Sequence, residues 1–185
     1  MLDLAHICEL SNDFSPCEFR VKLADSAWEI DQARRLRRAV FCIEQGVFVG
    51  DDRDSVDEDA QLLVAVSYVG GMADQVVGVV RIHQAVDGLW WGSRLAVHPA
   101  FRQMSHLGTA LIRLAVSLAH ARGAQIFLAY VQSQNCPLFE KLHWRSLNEV
   151  ARFGRPHCLM QADLLHYPPC HDPLSGYVTQ ARKRA

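Results

Sequence analysis

The chain has 185 residues, half of them hydrophobic and 21% charged, with a formal net charge of -1. That is enough apolar side chain for one full core, and the charge balance gives no general pull toward nucleic acid or an anionic membrane. Six cysteines without a C-x-x-C pair, an N-terminus unlike a leader, and no apolar run near the ~18 residues of a bilayer span point to a reduced, cytoplasmic protein.

In chain order, residues 1–18 carry little pattern and read as an N-terminal arm. "FRVKLA" (19–24) alternates and predicts a strand. "SAWE" (26–29) is a capping box, with Ser26 as N-cap and Glu29 reaching back. Behind it Ile30, Ala33, Leu36, Val40 and Ile43 recur at helical spacing. Arg34, Arg35, Arg37 and Arg38 fall largely on the other side, which reads as a solvated face. Gly46 stops this helix or a second short one. "GDDRDSVDEDA" (50–60) predicts a solvated acidic loop, without the glycine and closing glutamate of an EF-hand. "LLVAVSYV" and "QVVGVVRIH" around "GGMAD" predict a hairpin. "LWWGSRLAV" (89–97) is a further strand, with Trp90 and Trp91 on opposite sides, one for the core and one for a cleft.

Residues 107–122 form an amphipathic helix with Leu107, Leu111, Leu114, Ala115 and Leu118 on one face, closed by Gly123. "AQIFLAYV" (124–131) is a buried strand. "NCPLFEKLHW" (135–144) opens a short helix that tolerates Pro137 in its first turn. "HCLMQADLL" (157–165) is the last strand expected, and residues 166–185 read as a loosely packed tail. The order predicts one α/β domain over 19–165, a mixed sheet with helices on both faces.

The strand–loop–helix "RLAVHPAFRQMSHLGTALI" (94–112) is the first place to look for chemistry. A helix start offers unpaired N–H groups and the positive end of a dipole, which together suit a pyrophosphate. Gly108 would let a phosphate approach, Thr109 adds a hydroxyl and Arg102 a charge. An ordinary strand–helix turn has the same outline.

"VHPAFRQxxHxGTALI" (97–112) resembles the acyl-CoA signature of the GCN5-related N-acetyltransferases, Q/R-x-x-G-x-G/A. Gln103 takes the first position, Gly108 the last, and His106 replaces the middle glycine. "NCPLFEKLHW" resembles the family's second signature, an asparagine followed by F-Y-x-K-L-G-F. The resemblance spans residues 19–165. The tracts "RRLRRAVFCIEQGVFVGDDRD", "WWGSRLAVHP" and "GRPH" are similar to a bacterial subfamily of nitrogen-starvation N-acetyltransferases, which implies a link to nitrogen metabolism.

The resemblance implies a mostly antiparallel sheet with a splayed strand pair, and acetyl-CoA as co-substrate. Leu95, Ala96 and Val97 would pair with the pantetheine arm, and a backbone N–H there would polarise the thioester carbonyl. Amides of residues 103–109, with Gln103, His106, Leu107, Gly108 and Thr109 among them, would hold the pyrophosphate beside Arg102. Asn135 would bind pantetheine or order the next helix start. Phe139 stands at the family's tyrosine position, where it can pack but not donate a proton. Glu44 is the favoured base, on the "E-Q-G" likeness, with an ion-pair role as its rival; Asp54, Asp57, His83 and water are other candidates for the base. Cys136 reads as a bystander thiol. Cys158, His166, Cys170 and His171 lack zinc spacing, so no metal is assigned.

The expected reaction is transfer of an acetyl group to a small-molecule amine, with no nucleic-acid or membrane partner. Longer acyl donors, as in acyl-homoserine lactone synthases, and a non-catalytic acyl-CoA-binding scaffold stay open. A homodimer is an expectation from family analogy.

Overall fold

The computed structural model of the chain describes residues 18–103 and 106–180. The arm expected at 1–18, apart from Glu18, and the basic end lie outside the described residues. The elements in order are β1 (Glu18–Leu23), α1 (Ala27–Arg38), a wider π-helical turn (Ala39–Glu44), a short 3₁₀ turn (Ser55–Glu58), β2 (Gln61–Val69), β3 (Met72–Val86), β4 (Leu89–Val97), α2 (Leu107–Ala121), β5 (Ile126–Gln132), α3 (Cys136–Lys141), β6 (Trp144–Arg152), β7 (Arg155–Ala162) and β8 (Tyr177–Gln180). The strands form one sheet in the order β6-β7-β5-β4-β3-β2-β1-β8, antiparallel throughout except for β4 beside β5. This is the mixed, mostly antiparallel sheet that the sequence leads one to expect.

Strand β2 is apolar at successive positions because both of its faces are covered. Leu63 and Ala65 join the core beneath α2, with Phe19, Leu111 and Phe127. Val64 and Val66 join a second core beneath α1, with Ala33, Leu36, Val40 and Phe41. The capping box at Ser26 and Glu29 starts α1 as its residues require, and Gly123 closes α2 at φ +86°.

Three features depart from expectation. Arg37 is fully buried instead of lying on a solvated face, because the 50–58 loop folds over α1. Strand β6 is an edge strand whose mostly polar, exposed residues give no apolar alternation to read. Residues 167–180 are packed, not loose: Tyr167 is buried with its hydroxyl donating to the Leu142 carbonyl, the Cys170 N–H donates to Ser117 O at 3.0 Å, and β8 extends the sheet beside β1.

The sheet opens between β4 and β5, its one parallel pair. Strands β4 and β5 pair from Leu89 with Ile126 to Gly92 with Ala129, and no further. Just beyond, the β3 partner of Ser93 is Arg81 and that of Ala96 is Val79. Two residues of β4, Arg94 and Leu95, thus oppose one of β3, and Arg94 has φ +54°. This is a β-bulge, which bends its strand away and re-aims side chains.

Candidate functional site

A cavity of about 420 Å³ occupies the gap between β4 and β5, a size within the range of ligand pockets. Ile112, Ala115, Phe127, Phe139 and Trp144 line it on the α2 side; Phe41, Gln45, Phe48, Trp91 and Tyr130 line it on the α1 side. It therefore passes through the sheet. Trp90 is buried in the core under α2 while Trp91 faces the cavity, stacked on Tyr130 at 5.2 Å, as their alternation predicts.

The edge of β4 from Ser93 to Val97 has no ladder partner on the β5 side. Leu95, Asn135 and Phe139 line the cavity, and Ala96 is buried in the core under α1. The Arg102 Nε donates to the Val97 carbonyl at 3.0 Å and so ties the following loop to the strand end. Residue His106 is the N-cap of α2, exposed, at φ -81°, and its side chain makes no capping bond. The negative φ lies outside the left-handed region that favours glycine, so the backbone at 106 does not demand one.

Behind it Leu107 is buried, Gly108 and Thr109 are half-buried, and Gln103 is exposed. A Cβ placed on Gly108 would meet nothing closer than Val97 Cγ2 at 3.9 Å. At Gly78 the same atom would meet Leu111 Cδ1 at 2.9 Å, and at Gly92 the Phe127 ring at 3.0 Å. The chain's own packing is tight against a Cβ at 78 and 92 and leaves room for one at 108. At the start of α3 the Asn135 side chain makes no capping bond, so helix ordering is not what it does.

On the α1 side the acidic loop is mostly exposed, as expected, but Asp52, Asp54 and Asp57 turn from it into an ion network with buried arginines. Arg37 donates to Asp52 at 2.8 Å and forks onto Asp57 at 2.5 and 3.0 Å. Arg81 donates to Asp54 and Asp57 at 2.6 and 2.8 Å and to Ser93 Oγ at 2.9 Å. From the bulge, Arg94 reaches Asp52 and Asp54 at 3.0 Å each and lies 4.4 Å from the centre of the Phe48 ring. Burial opposes ionisation of Asp57, but bonding to Arg37 and the Asp54 N–H more than offsets it and holds the carboxyl far below its usual range. Asp54 is lowered in the same way by Arg81. Neither aspartate is a free base.

Glu44 does not line the cavity. Both of its oxygens accept from Arg102 at 2.7 Å, and that guanidinium holds its carboxyl below the ordinary value. The ion-pair alternative for Glu44 is the one this geometry realises, and a carboxylate so committed is a poor proton acceptor. His83 lines the cavity opposite Trp91 in the β3–β4 ladder. Its Nδ1 is buried and has no hydrogen-bond partner among the described residues. Burial, and then the charge of Arg81, depress its pKa, so the ring is neutral at neutral pH. Burial, and then neighbouring Cys158, push the Cys136 thiol up to about 12, which leaves it unreactive. Among the described residues no group of three or more His, Cys, Asp or Glu is placed to hold a metal, and no helix is long and apolar enough to cross a membrane.

A family model described as acetyltransferase (GNAT) family matches residues 7–144. A protein of Bacillus subtilis (strain 168) assigned as an acetyltransferase is 27% identical over 144 residues, 76% of this chain and 93% of its own length. A solved structure from Lactobacillus plantarum, assigned as an N-acetyltransferase, superposes with a TM-score of 0.69 at 21% identity, covering 79% of this chain and 98% of that one. An aminoglycoside 6'-N-acetyltransferase solved with coenzyme A superposes at 0.61 and 16% identity, over 78% and 96% of the two chains.

Proposed function

The chain belongs to the acetyltransferase (GNAT) family, and from that premise we propose that it transfers an acetyl group from acetyl-CoA to the amine of a small molecule. The observation that carries this reading is the cavity through the parted sheet. It joins a strand edge without ladder partners to a chamber holding an unpartnered, neutral imidazole.

Acetyl-CoA, when bound, supplies an acyl group activated as a thioester. The residues fit it. The unpaired backbone along Leu95, Ala96 and Val97 receives the pantetheine arm, and an N–H there polarises the acyl carbonyl. The amide side chain of Asn135, free of capping duty, supports the same arm. First-turn amides of α2, with Gly108 giving close approach, hold the pyrophosphate together with Arg102, Gln103, His106, Leu107 and Thr109. Glu44 positions Arg102 and is not the base in this reading.

His83 takes the proton from the attacking amine on the ring edge that faces the cavity, directly or through one water, as the nitrogen–carbon bond forms and the carbon–sulfur bond breaks. Phe139 packs edge-on against Trp144 with ring centres 5.0 Å apart and offers no proton. The thiolate leaves without a side-chain acid, which slows the step but does not forbid it, since a thiol ionises near a pKa of ~8.5. We further propose kinship with the nitrogen-starvation acetyltransferases and a cytoplasmic setting, the latter in keeping with four free cysteines among the described residues.

The test is thiol release from acetyl-CoA across a panel of primary amines. We expect amine-dependent release, lowered ~10²- to 10⁴-fold in kcat by His83→Gln with acetyl-CoA affinity unchanged. Unimpaired turnover in His83→Gln would remove the histidine from the mechanism, and no amine-dependent release at all would contradict the reaction.

A further inference from the structure

On the α1 side the cavity opens beneath the tip of the β6–β7 hairpin. Arg152 and Arg155 face each other in the ladder, so Phe153 and Gly154 alone make the turn, with φ +52° and +69°. A two-residue turn with two positive φ values favours asparagine then glycine, and phenylalanine in its first position is strained. The Phe153 ring is half exposed and adds little to the core. It lies 4.8 Å from the Phe48 ring at the cavity wall. Strain kept beside a cavity points to what the cavity receives.

The charges of this chamber do not cancel. Arg37, Arg81 and Arg94 are matched one for one by Asp52, Asp54 and Asp57. Arg152 also lines the cavity, 4.0 Å from the centre of the Tyr130 ring and 5.5 Å from that of Phe153, and pairs with no carboxylate among the described residues. Among the described residues the one lining carboxylate, Asp54, already accepts from Arg81 and Arg94. A polycationic amine meets no free anion here. An anionic group meets a free guanidinium set between aromatic rings, the arrangement that favours a forked bond to a carboxylate.

Building on the acetyl-transfer reading, we propose that the acceptor is an amine that also carries a carboxylate and an aromatic or branched apolar body, as an apolar amino acid does. Arg152 binds the carboxylate, Phe48, Tyr130 and Phe153 enclose the apolar body, and the amine is directed to His83.

Matched pairs test this: phenylalanine against phenethylamine, tryptophan against tryptamine, leucine against isoamylamine, with spermidine as a polycation. At saturating acetyl-CoA the member with the carboxylate should have the higher kcat/KM by roughly five- to tenfold. Arg152→Gln should bring the ratio close to one, with acetyl-CoA titration unchanged. Preference for the decarboxylated amines or spermidine, or a ratio untouched by Arg152→Gln, would overturn the proposal. Direct titration of the same compounds without acetyl-CoA decides it even where transfer fails. Phenylalanine binding that phenethylamine does not match supports it, and binding of no acid in the panel ends it. Loss of acetyl-CoA binding, by contrast, would count against the acetyl-transfer reading alone.

Discussion

On the α2 face of the sheet Leu63, Leu111 and Phe127 are buried among other apolar side chains; on the α1 face Arg37 and Arg81 are buried among Asp52, Asp54 and Asp57. The first face is held by area removed from water, which is non-directional and degrades gradually. The second has a smaller apolar core, with Ala33, Leu36 and Val64 in it, and adds charges that must all be present, because removing one member strands or weakens its buried partner. The face that needs fixed directions is the one beside the acceptor chamber. There the network pins four separate pieces, the 50–58 loop, helix α1, strand β3 and the β4 bulge, to one another.

The contrast can be broken at its strongest point first. Arg37→Ala leaves buried Asp52 with Arg94 alone and Asp57 with Arg81 alone, and should cost ~3–5 kcal/mol, a fall of about 10 °C or more in the unfolding midpoint. Leu111→Ala on the apolar face should cost ~2–5 kcal/mol by cavity formation. The two differ in their pH response. Asp54 and Asp57 have folded pKa values below the ordinary 3.8, so their contribution is full above that value and is lost as pH falls from there through the lower folded values. His83 has a folded pKa below 6.5, so its protonation favours the unfolded chain and stability begins to decline below that pH. Leu111→Ala should lower the whole curve of stability against pH without changing its shape, and Asp57→Asn should flatten its acid limb. Denaturant midpoints from pH 3 to pH 8 would settle this, and parallel curves for both variants would contradict it.

Smaller effects sharpen the same picture. Gly78→Ala drives a methyl to 2.9 Å from Leu111 and should cost ~1–3 kcal/mol. Gly108→Ala, at 3.9 Å from Val97, should stay within ~0.5 kcal/mol. A large loss of stability at Gly108 would assign that glycine to packing instead of to a ligand. Smallest is Arg35→Ala, which removes only an exposed pair with Asp31 on the solvent side of α1 and should cost under ~0.5 kcal/mol. Thermal unfolding distinguishes it readily from Arg37→Ala two residues on.

The apolar face was legible in the sequence because its signal is periodic. Leu107, Leu111, Leu114 and Leu118 mark one side of a helix, and every one is buried. The hairpin, the capping box and the order of elements follow from equally local rules. The charged face was not legible. Arg37 stands seven residues after Ile30 and four after Ala33, on their side of α1, yet an arginine there reads as solvated, and nothing local reveals that a loop fifteen residues downstream will cover it. The available signal was numerical and distant: Arg81 and Arg94 stand inside otherwise apolar strands, while the 50–60 loop, read as solvated, is rich in aspartate. Arginines in a buried strand need carboxylates from somewhere, and that loop is the nearest source. Glu44 illustrates the same limit. A motif selects the residue, but only the fold brings Arg102 to both of its oxygens. His83 and the Phe153 turn depend likewise on register and backbone sign, which residue type alone does not carry.

The central claim is a working donor site where β4 and β5 part. Calorimetric titration of the intact chain with acetyl-CoA tests it most directly. The account predicts micromolar binding, weakened at least ~10-fold by Gly108→Glu, whose carboxylate repels the pyrophosphate at the start of α2. Absence of binding, or binding that Gly108→Glu leaves untouched, would contradict it.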